Sequence, residues 1–129
     1  MAKVKVLLDT NFLLTMVRHK IHGLEEIKSK IPVEFYTLSR VLIELKGLSK
    51  SDKKVKKEVA LVEQVLKNNA VKVIDSTCEN VDDELLAMSS EYIIATNDKL
   101  LRQRVNKNGG KTIYIRSLTY IDATEVVGE

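Results

Sequence analysis

The chain has 129 residues, of which 44% are hydrophobic and 30% charged, and a formal net charge of +3. This length and composition favour one soluble globular domain over residues 1–129 and exclude collagen-like and disordered chains. The longest uncharged apolar stretch falls far short of the about 20 residues that a membrane span needs, so no membrane association is expected. A single cysteine, Cys78, excludes an internal disulfide and favours a reducing, cytoplasmic location.

Hydrophobic patterning along the chain predicts strands alternating with helices. Strands are expected over 4–8, 33–37, 71–74, 92–96 and 112–115. Helices are expected over 11–18, 24–31, 38 to about 48, 52–68, 82–89 and 99–106. No element is assigned to the tail 117–129, so the core spans about 4–116. This alternation predicts an α/β sandwich with a small, mainly parallel sheet flanked by helices.

Acidic residues at four places along the chain fall where such a sheet carries its site, beyond the carboxyl ends of the strands. Asp9 ends the first strand, and Glu44 lies on the helix after the second. Asp82 and Asp83 open the helix after the third strand, and Asp98 follows the fourth. Each position belongs to a different strand–helix unit, so only folding can bring these carboxylates together.

Each acid also has a purely structural interpretation. Asp9 could simply end a strand, Glu44 could be a surface residue, and Asp82 and Asp98 could be helix N-caps, a position that favours Asp. Helical geometry places Asp82 toward the core side of its helix and Asp83 about 100° away, at the rim. Asp82 is therefore expected in the primary role and Asp83 as a helper.

Carboxylates that share one cleft repel each other, so either their pKa values rise or a cation neutralises them. Ligands that are all oxygen favour a hard ion, Mg²⁺ or Mn²⁺, as one ion or two. Such an ion lowers the pKa of bound water and polarises phosphoryl oxygens. Hydrolysis of a phosphodiester is the reaction that suits this arrangement, because the substrate is an anion and can itself bind the metal ion.

The order of these residues resembles the signature of the PIN-domain family over essentially the whole chain. The motifs that carry the resemblance are LLDTN at 7–11, Glu44, VDDEL at 81–85 and ATND at 95–98. The resemblance implies a metal-dependent ribonuclease with a small parallel sheet in a three-layer sandwich, acting on RNA as a homodimer. It implies that the catalytic, metal-binding acids are Asp9, Glu44, Asp82 and Asp98, that Asp83 is a candidate further ligand, and that Asn11 and Thr96 are supporting polar residues.

Two biological roles are compatible with this resemblance. The paired Asp82 and Asp83, and the basic run after Asp98, look more like the small PIN proteins of ribosomal RNA processing, which would imply a ribosome-assembly partner. Many toxin members of toxin–antitoxin pairs instead carry a single Asp followed by Ala. A toxin would imply an antitoxin partner and would use the same catalytic residues.

The charges are segregated along the second half of the chain. Residues 75–98 contain seven acidic side chains and no basic one, and residues 99–116 contain six basic side chains and no acidic one. Charge runs of this kind are commonly solvated helix faces. A binding interpretation has the basic residues next to Asp98 contact RNA phosphates without reading sequence. The predicted RNA contacts are Lys99, Arg102, Arg104 and Lys107.

Two other function classes compete with a nuclease. A non-catalytic RNA-binding module would keep the fold and bind RNA without metal-dependent cleavage. A phosphoacceptor receiver domain expects an adjacent acidic pair after the first strand, whereas Thr10 and Asn11 follow Asp9 here. Tyr36 and Tyr92 are expected in the core rather than in a base-stacking platform.

Overall fold

The structure is a computed structural model that describes residues 3–116 and 120–122. Strands and helices alternate within these residues. The strands are β1 (Val4–Leu8), β2 (Val33–Leu38), β3 (Lys72–Ile74), β4 (Ile93–Ala95), β5 (Thr112–Arg116) and β6 (Tyr120–Asp122). The helices are α1 (Thr10–Arg18), α2 (Gly23–Lys30), α3 (Ser39–Leu48), α4 (Lys53–Asn68), α5 (Val81–Met88) and α6 (Lys99–Lys107).

The strands form one sheet in the order β3-β2-β1-β4-β5-β6. The first five strands are parallel, and β6 pairs antiparallel with β5. This arrangement confirms the predicted α/β fold with a mainly parallel sheet. The chain steps outward from β1 to β3 and then returns to the other side of β1, so the strand order reverses between β1 and β4.

The helices lie in two layers because the direction of the crossovers changes at β1. Right-handed connections place the helices between β1 and β3 on one face of the sheet and those between β3 and β5 on the other. The helix contacts agree with this, since α1 and α3 pack against α4, and α5 packs against α6. The middle of β1 is therefore covered on both faces, and Val6, Leu7 and Leu8 have no exposed surface.

The largest difference from the predicted elements lies in the tail. Residues 120–122 form β6, whereas the sequence pattern assigns no element to 117–129. A three-residue strand is too short to show a periodicity of its own, so only its pairing with β5 defines it. Residues 117–119 and 123–129 of that predicted tail lie outside the described residues.

Other predicted bounds differ by one or two residues. β2 extends to Leu38, because that residue still pairs with Ile74 of β3 and is fully buried.

Tyr36 and Tyr92 are half-buried against the core and meet edge to face, with ring centroids 5.2 Å apart. No helix in the described part of the chain is long and apolar enough to cross a membrane.

Gly110 is a position where a side chain does not fit. A Cβ there would lie 2.8 Å from Val105 Cγ1 and 3.0 Å from Ser89 Cβ, between α6 and the end of α5. We expect Gly110→Ala to lower the free energy of unfolding by about 1–3 kcal/mol, the usual cost of overpacking. Urea denaturation measures this change.

Gly47 provides the matched control, because a Cβ at that position in α3 meets no atom within 4 Å. Gly47→Ala should raise the free energy of unfolding by about 0.5–1 kcal/mol, since alanine restricts the unfolded chain. Equal stability of the two variants would contradict the described packing of Gly110.

Candidate functional site

Asp9 is the buried centre of the candidate site. It follows β1 and is the N-cap of α1, with its Oδ1 accepting a hydrogen bond from the Thr10 backbone N–H at 2.8 Å. Its backbone N–H donates to the Ala95 carbonyl of β4 at 2.9 Å. Only 4% of Asp9 is exposed. Asp9 therefore does end a strand, as its structural interpretation predicts. This position places its carboxylate where the strand order reverses.

Thr96 connects Asp9 to the loop between β4 and α6. Its buried hydroxyl donates to Asp9 Oδ2 at 2.7 Å and lies 3.3 Å from Asn11 Oδ1. The same oxygen accepts from the Asp98 backbone N–H at 3.2 Å. Asn11 Oδ1 in turn accepts from the Asn97 N–H at 2.8 Å. The side chains of Asn11 and Thr96 thus hold the 96–98 loop against the start of α1.

Asp98 is the N-cap of α6. Its Oδ1 accepts from the backbone N–H groups of Leu100 at 3.0 Å and Leu101 at 3.2 Å. The capping interpretation of Asp98 is confirmed, and it leaves Oδ2 as the oxygen available to a ligand.

The capping interpretation of Asp82 is wrong: Asn80 is the N-cap of α5, and its side chain accepts a hydrogen bond from the Asp83 N–H at 3.0 Å.

Glu44 lies on the exposed side of α3 and reaches the first turn of α1. Its Oε1 accepts a hydrogen bond from the Thr10 hydroxyl at 2.6 Å. The contact joins residues that are 34 positions apart in the sequence. Glu44 is therefore an exposed residue, as its surface interpretation predicts. Its carboxylate is nevertheless fixed beside Asp9 by a tertiary hydrogen bond.

Asp82 and Asp83 differ as their helical positions predict. Asp82 is half-buried on α5, whereas Asp83 is exposed and its Oδ1 lies 3.3 Å from the Nη2 of Arg104 on α6. Burial raises the pKa of Asp82, and the carboxylates of Asp98, Glu44 and Asp83 raise it further, while Arg104 lowers it. The charges of two other helices, α3 and α6 with its N-cap, therefore act on Asp82.

Burial raises the pKa of Asp9 to about 6, from an ordinary value of 3.8. Hydrogen bonds from Thr96 and Thr10 oppose this rise, and the charges of Asp82 and Glu44 add to it. The charges of Asp82 and Glu44 thus act on Asp9, and those of Asp98 and Glu44 act on Asp82. The protein tolerates this repulsion at the carboxyl end of its sheet.

The chemistry of these donors suits a hard divalent cation, because they are carboxylate oxygens whose mutual repulsion a cation would relieve. In this structure the carboxylates are not spaced so that they enclose a cation. Within residues 3–116 and 120–122, no three His, Cys, Asp or Glu side chains are grouped so that they could hold a metal ion. The donor set fits a cation, and a closed coordination shell is not preformed.

A family model for the PIN like domain matches residues 6–118. The chain belongs to this family. It is 32% identical over 124 residues to Ribonuclease VapC4 of Methanocaldococcus jannaschii, an alignment that covers 92% of this chain and 95% of that protein. The predicted family membership is confirmed.

Two solved structures share the fold of this chain. The PIN domain endonuclease Utp24 superimposes with a TM-score of 0.72 at 21% identity, covering 92% of this chain and 90% of that one. A domain of a functionally unknown protein from Methanocaldococcus jannaschii gives a TM-score of 0.61 at 16% identity, covering 90% and 93%. At these identities the likeness concerns the fold alone.

The four basic residues predicted to contact RNA all lie on α6 of the PIN domain, but two of them also have partners within the chain. The Arg102 guanidinium lies 4.0 Å from the centroid of the Tyr114 ring, and Arg104 pairs with Asp83. Lys99 and Lys107 are exposed. Arg104 therefore balances the acidic cluster as well as presenting charge to solvent.

Sequence reasoning missed two supporting residues of the PIN site. Thr10 holds Glu44, and Asn97 Oδ1 accepts from the Ile115 N–H at 2.9 Å, which ties the 96–98 loop to β5. The signal for both is their position, since each is a short polar residue two positions after the end of a strand. The partner of Asn97 lies 18 positions away, so no local pattern indicates the contact.

The raised pKa of Asp9 predicts how the stability of the PIN domain depends on pH. The folded pKa lies above the unfolded one, so the contribution of Asp9 to stability is complete below about pH 4 and is lost as pH rises through about 6. We therefore expect the effect of Asp9→Asn on the free energy of unfolding of the metal-free protein to be about 2–3 kcal/mol more favourable at neutral pH than below about pH 4. Denaturation at acidic and at neutral pH measures the difference.

Asp75→Asn is the control for this prediction, because Asp75 is an exposed aspartate in the loop between β3 and α5. It should change stability little at either pH. An equal effect of Asp9→Asn at acidic and neutral pH would show that the buried charge is compensated within the protein and would contradict the prediction.

Proposed function

We propose that this PIN-domain chain is a metal-dependent endoribonuclease that hydrolyses RNA phosphodiester bonds. The observation that carries the proposal is the buried Asp9, held where the strand order reverses and repelled by Asp82 and Glu44. Clustered carboxylates with raised pKa values in a cleft are typical of functional sites. The choice of RNA as substrate is supported by the likeness to a ribonuclease over 92% of the chain.

In this proposal Asp9, Glu44, Asp82 and Asp98 hold one or two Mg²⁺ or Mn²⁺ ions. When bound, such an ion would lower the pKa of a water molecule and would stabilise negative charge on the non-bridging phosphate oxygens. Asp83 takes a helper role, because it is exposed and its carboxylate already pairs with Arg104.

The protein's own contribution is to fix the positions of the carboxylates. Hydrogen bonds from the Thr10 N–H and the Thr96 hydroxyl favour the charged form of Asp9 and orient both of its oxygens. Thr10 likewise orients Glu44, and the α6 backbone orients Asp98 through Oδ1. Lys99 and Lys107, exposed on the same helix, attract the RNA backbone.

Cleavage of a labelled single-stranded RNA tests the proposal. We expect cleavage with Mn²⁺ or Mg²⁺, none with EDTA, and a rate lower by about 100-fold or more in Asp9→Asn, the scale on which loss of one electrostatic group at a reacting centre acts. Gel analysis of the labelled products measures the rate.

Asp75→Asn is again the matched control and should cleave like the wild type. Cleavage that survives EDTA would contradict the metal-dependent mechanism. RNA binding without cleavage, unchanged by Asp9→Asn, would favour the non-catalytic binding module.

The biological role within this proposal is RNA maturation, with ribosomal RNA as the substrate class. The adjacent Asp82 and Asp83 and the basic helix after Asp98 favour it. The alternative is the toxin of a toxin–antitoxin pair, favoured by the 32% identity to Ribonuclease VapC4. Both roles use the same four acids and differ in the partner.

Expression in a heterologous cell separates the two roles. A maturation enzyme should leave growth the same whether the wild type or Asp9→Asn is produced at equal level, because its substrate is a specific precursor. Growth arrest by the wild type alone, measured as culture density and colony count, would contradict the maturation role and favour the toxin.

A further inference from the structure

A polar cavity of about 310 Å³ adjoins the carboxylate cluster. It lies between the start of α3 and the start of α5, so it shares a wall with the candidate site. Its lining residues are Arg40, Glu44, Glu79, Asn80, Val81 and Asp82. Arg40 is the only cation in this set, and every charged neighbour in the lining is an acid.

Arg40 does not pair with the acids around it. It precedes Glu44 by one helical turn, a spacing at which an ion pair commonly forms. Glu44 Oε1 instead accepts from the Thr10 hydroxyl. The Nε of Arg40 is buried without a hydrogen-bond partner among the residues that the structure describes. None of the salt bridges among the described residues involves Arg40, so its charge is not paired within that part of the chain.

The backbone of Arg40 is held firmly beside this cavity. Its N–H donates to Ser76 Oγ at 3.0 Å, and the Ser76 N–H donates to Ser39 Oγ at 2.8 Å. These two bonds join the first turn of α3 to the loop that precedes α5. The position of Arg40 relative to Asp82 is therefore set by the fold.

We propose that Arg40 binds a phosphate of the RNA strand next to the one that is cleaved. A guanidinium is always charged and presents donors in a plane that matches two phosphate oxygens. The carboxylates beside Arg40 repel the phosphates of the RNA backbone. An unpaired arginine next to these carboxylates supplies the attraction that a second phosphate needs. Asn80 supports this contact, because its Oδ1 caps α5 and its amide nitrogen remains for donation.

This inference rests on the proposed RNA substrate, but it can be tested without turnover. The test measures binding of a fluorescently labelled single-stranded RNA in EDTA over a series of salt concentrations. Each phosphate contact to a single strand contributes about 0.7 to the slope of log K against log salt. We expect Arg40→Gln to weaken binding and to reduce the magnitude of this slope by about 0.7.

Lys46→Gln is the matched control, since it removes one positive charge from the exposed side of the same helix. It should leave the slope unchanged. Arg40→Lys retains the charge but not the planar pair of donors, and it should keep the slope while binding more weakly than the wild type. This second variant also serves if Arg40→Gln does not fold, as judged by thermal melting.

The outcomes separate this inference from the proposed function. If the wild type cleaves RNA but Arg40→Gln binds with the slope and affinity of Lys46→Gln, the phosphate contact is wrong and the nuclease stands. If the wild type binds without cleaving and Arg40→Gln lowers the slope, the contact stands and the nuclease is wrong. Wild-type affinity in Arg40→Lys would overturn the planar contact, and absence of RNA binding by the wild type would overturn both.

Discussion

The hydrogen bond from the Thr96 hydroxyl to Asp9 is the interaction on which the candidate site depends. It joins residues 87 positions apart and is buried between the ends of β1 and β4. The same two residues take part in the helix cap of α1 and in the loop that precedes α6. One carboxylate thus determines the start of a helix, the conformation of a neighbouring loop and the location of negative charge.

The arrangement of charge around Asp9 reflects a conflict between stability and chemistry. Burying Asp9 beside Asp82 and Glu44 opposes ionisation, and the protein offsets this only in part with hydrogen bonds. Arg104 reduces the repulsion at the rim by pairing with Asp83. Asp9, the most buried acid of this cluster, has no basic partner among the residues that influence its pKa.

Much of the fold and of the candidate site can be predicted from the sequence. The apolar residues Val6, Leu7 and Leu8 before Asp9 indicate a buried strand, as is typical of strands covered on both faces of a parallel sheet. The acids at successive strand ends could be placed at one sheet edge because parallel strands share an edge. The motif order then indicated the family that the comparisons confirm.

The remaining features depend on contacts between distant residues. Asn80 rather than Asp82 caps α5, and a choice between two capping residues two positions apart depends on where the preceding loop enters. The Thr10–Glu44 and Asn97–Ile115 hydrogen bonds join residues that have no pattern in common. Strand β6 is defined by its partner, so its three residues carry no local signal.

Strand β3 has a consequence for the behaviour of the molecule in a crowded cell. It forms one edge of the sheet and is only three residues long, so it offers few free backbone groups to a strand from another molecule. Lys72 at its start is exposed and pairs with Glu34 at 3.1 Å, which would place charge inside any contact that extended the sheet. Brevity and charge therefore protect this edge from templating aggregation.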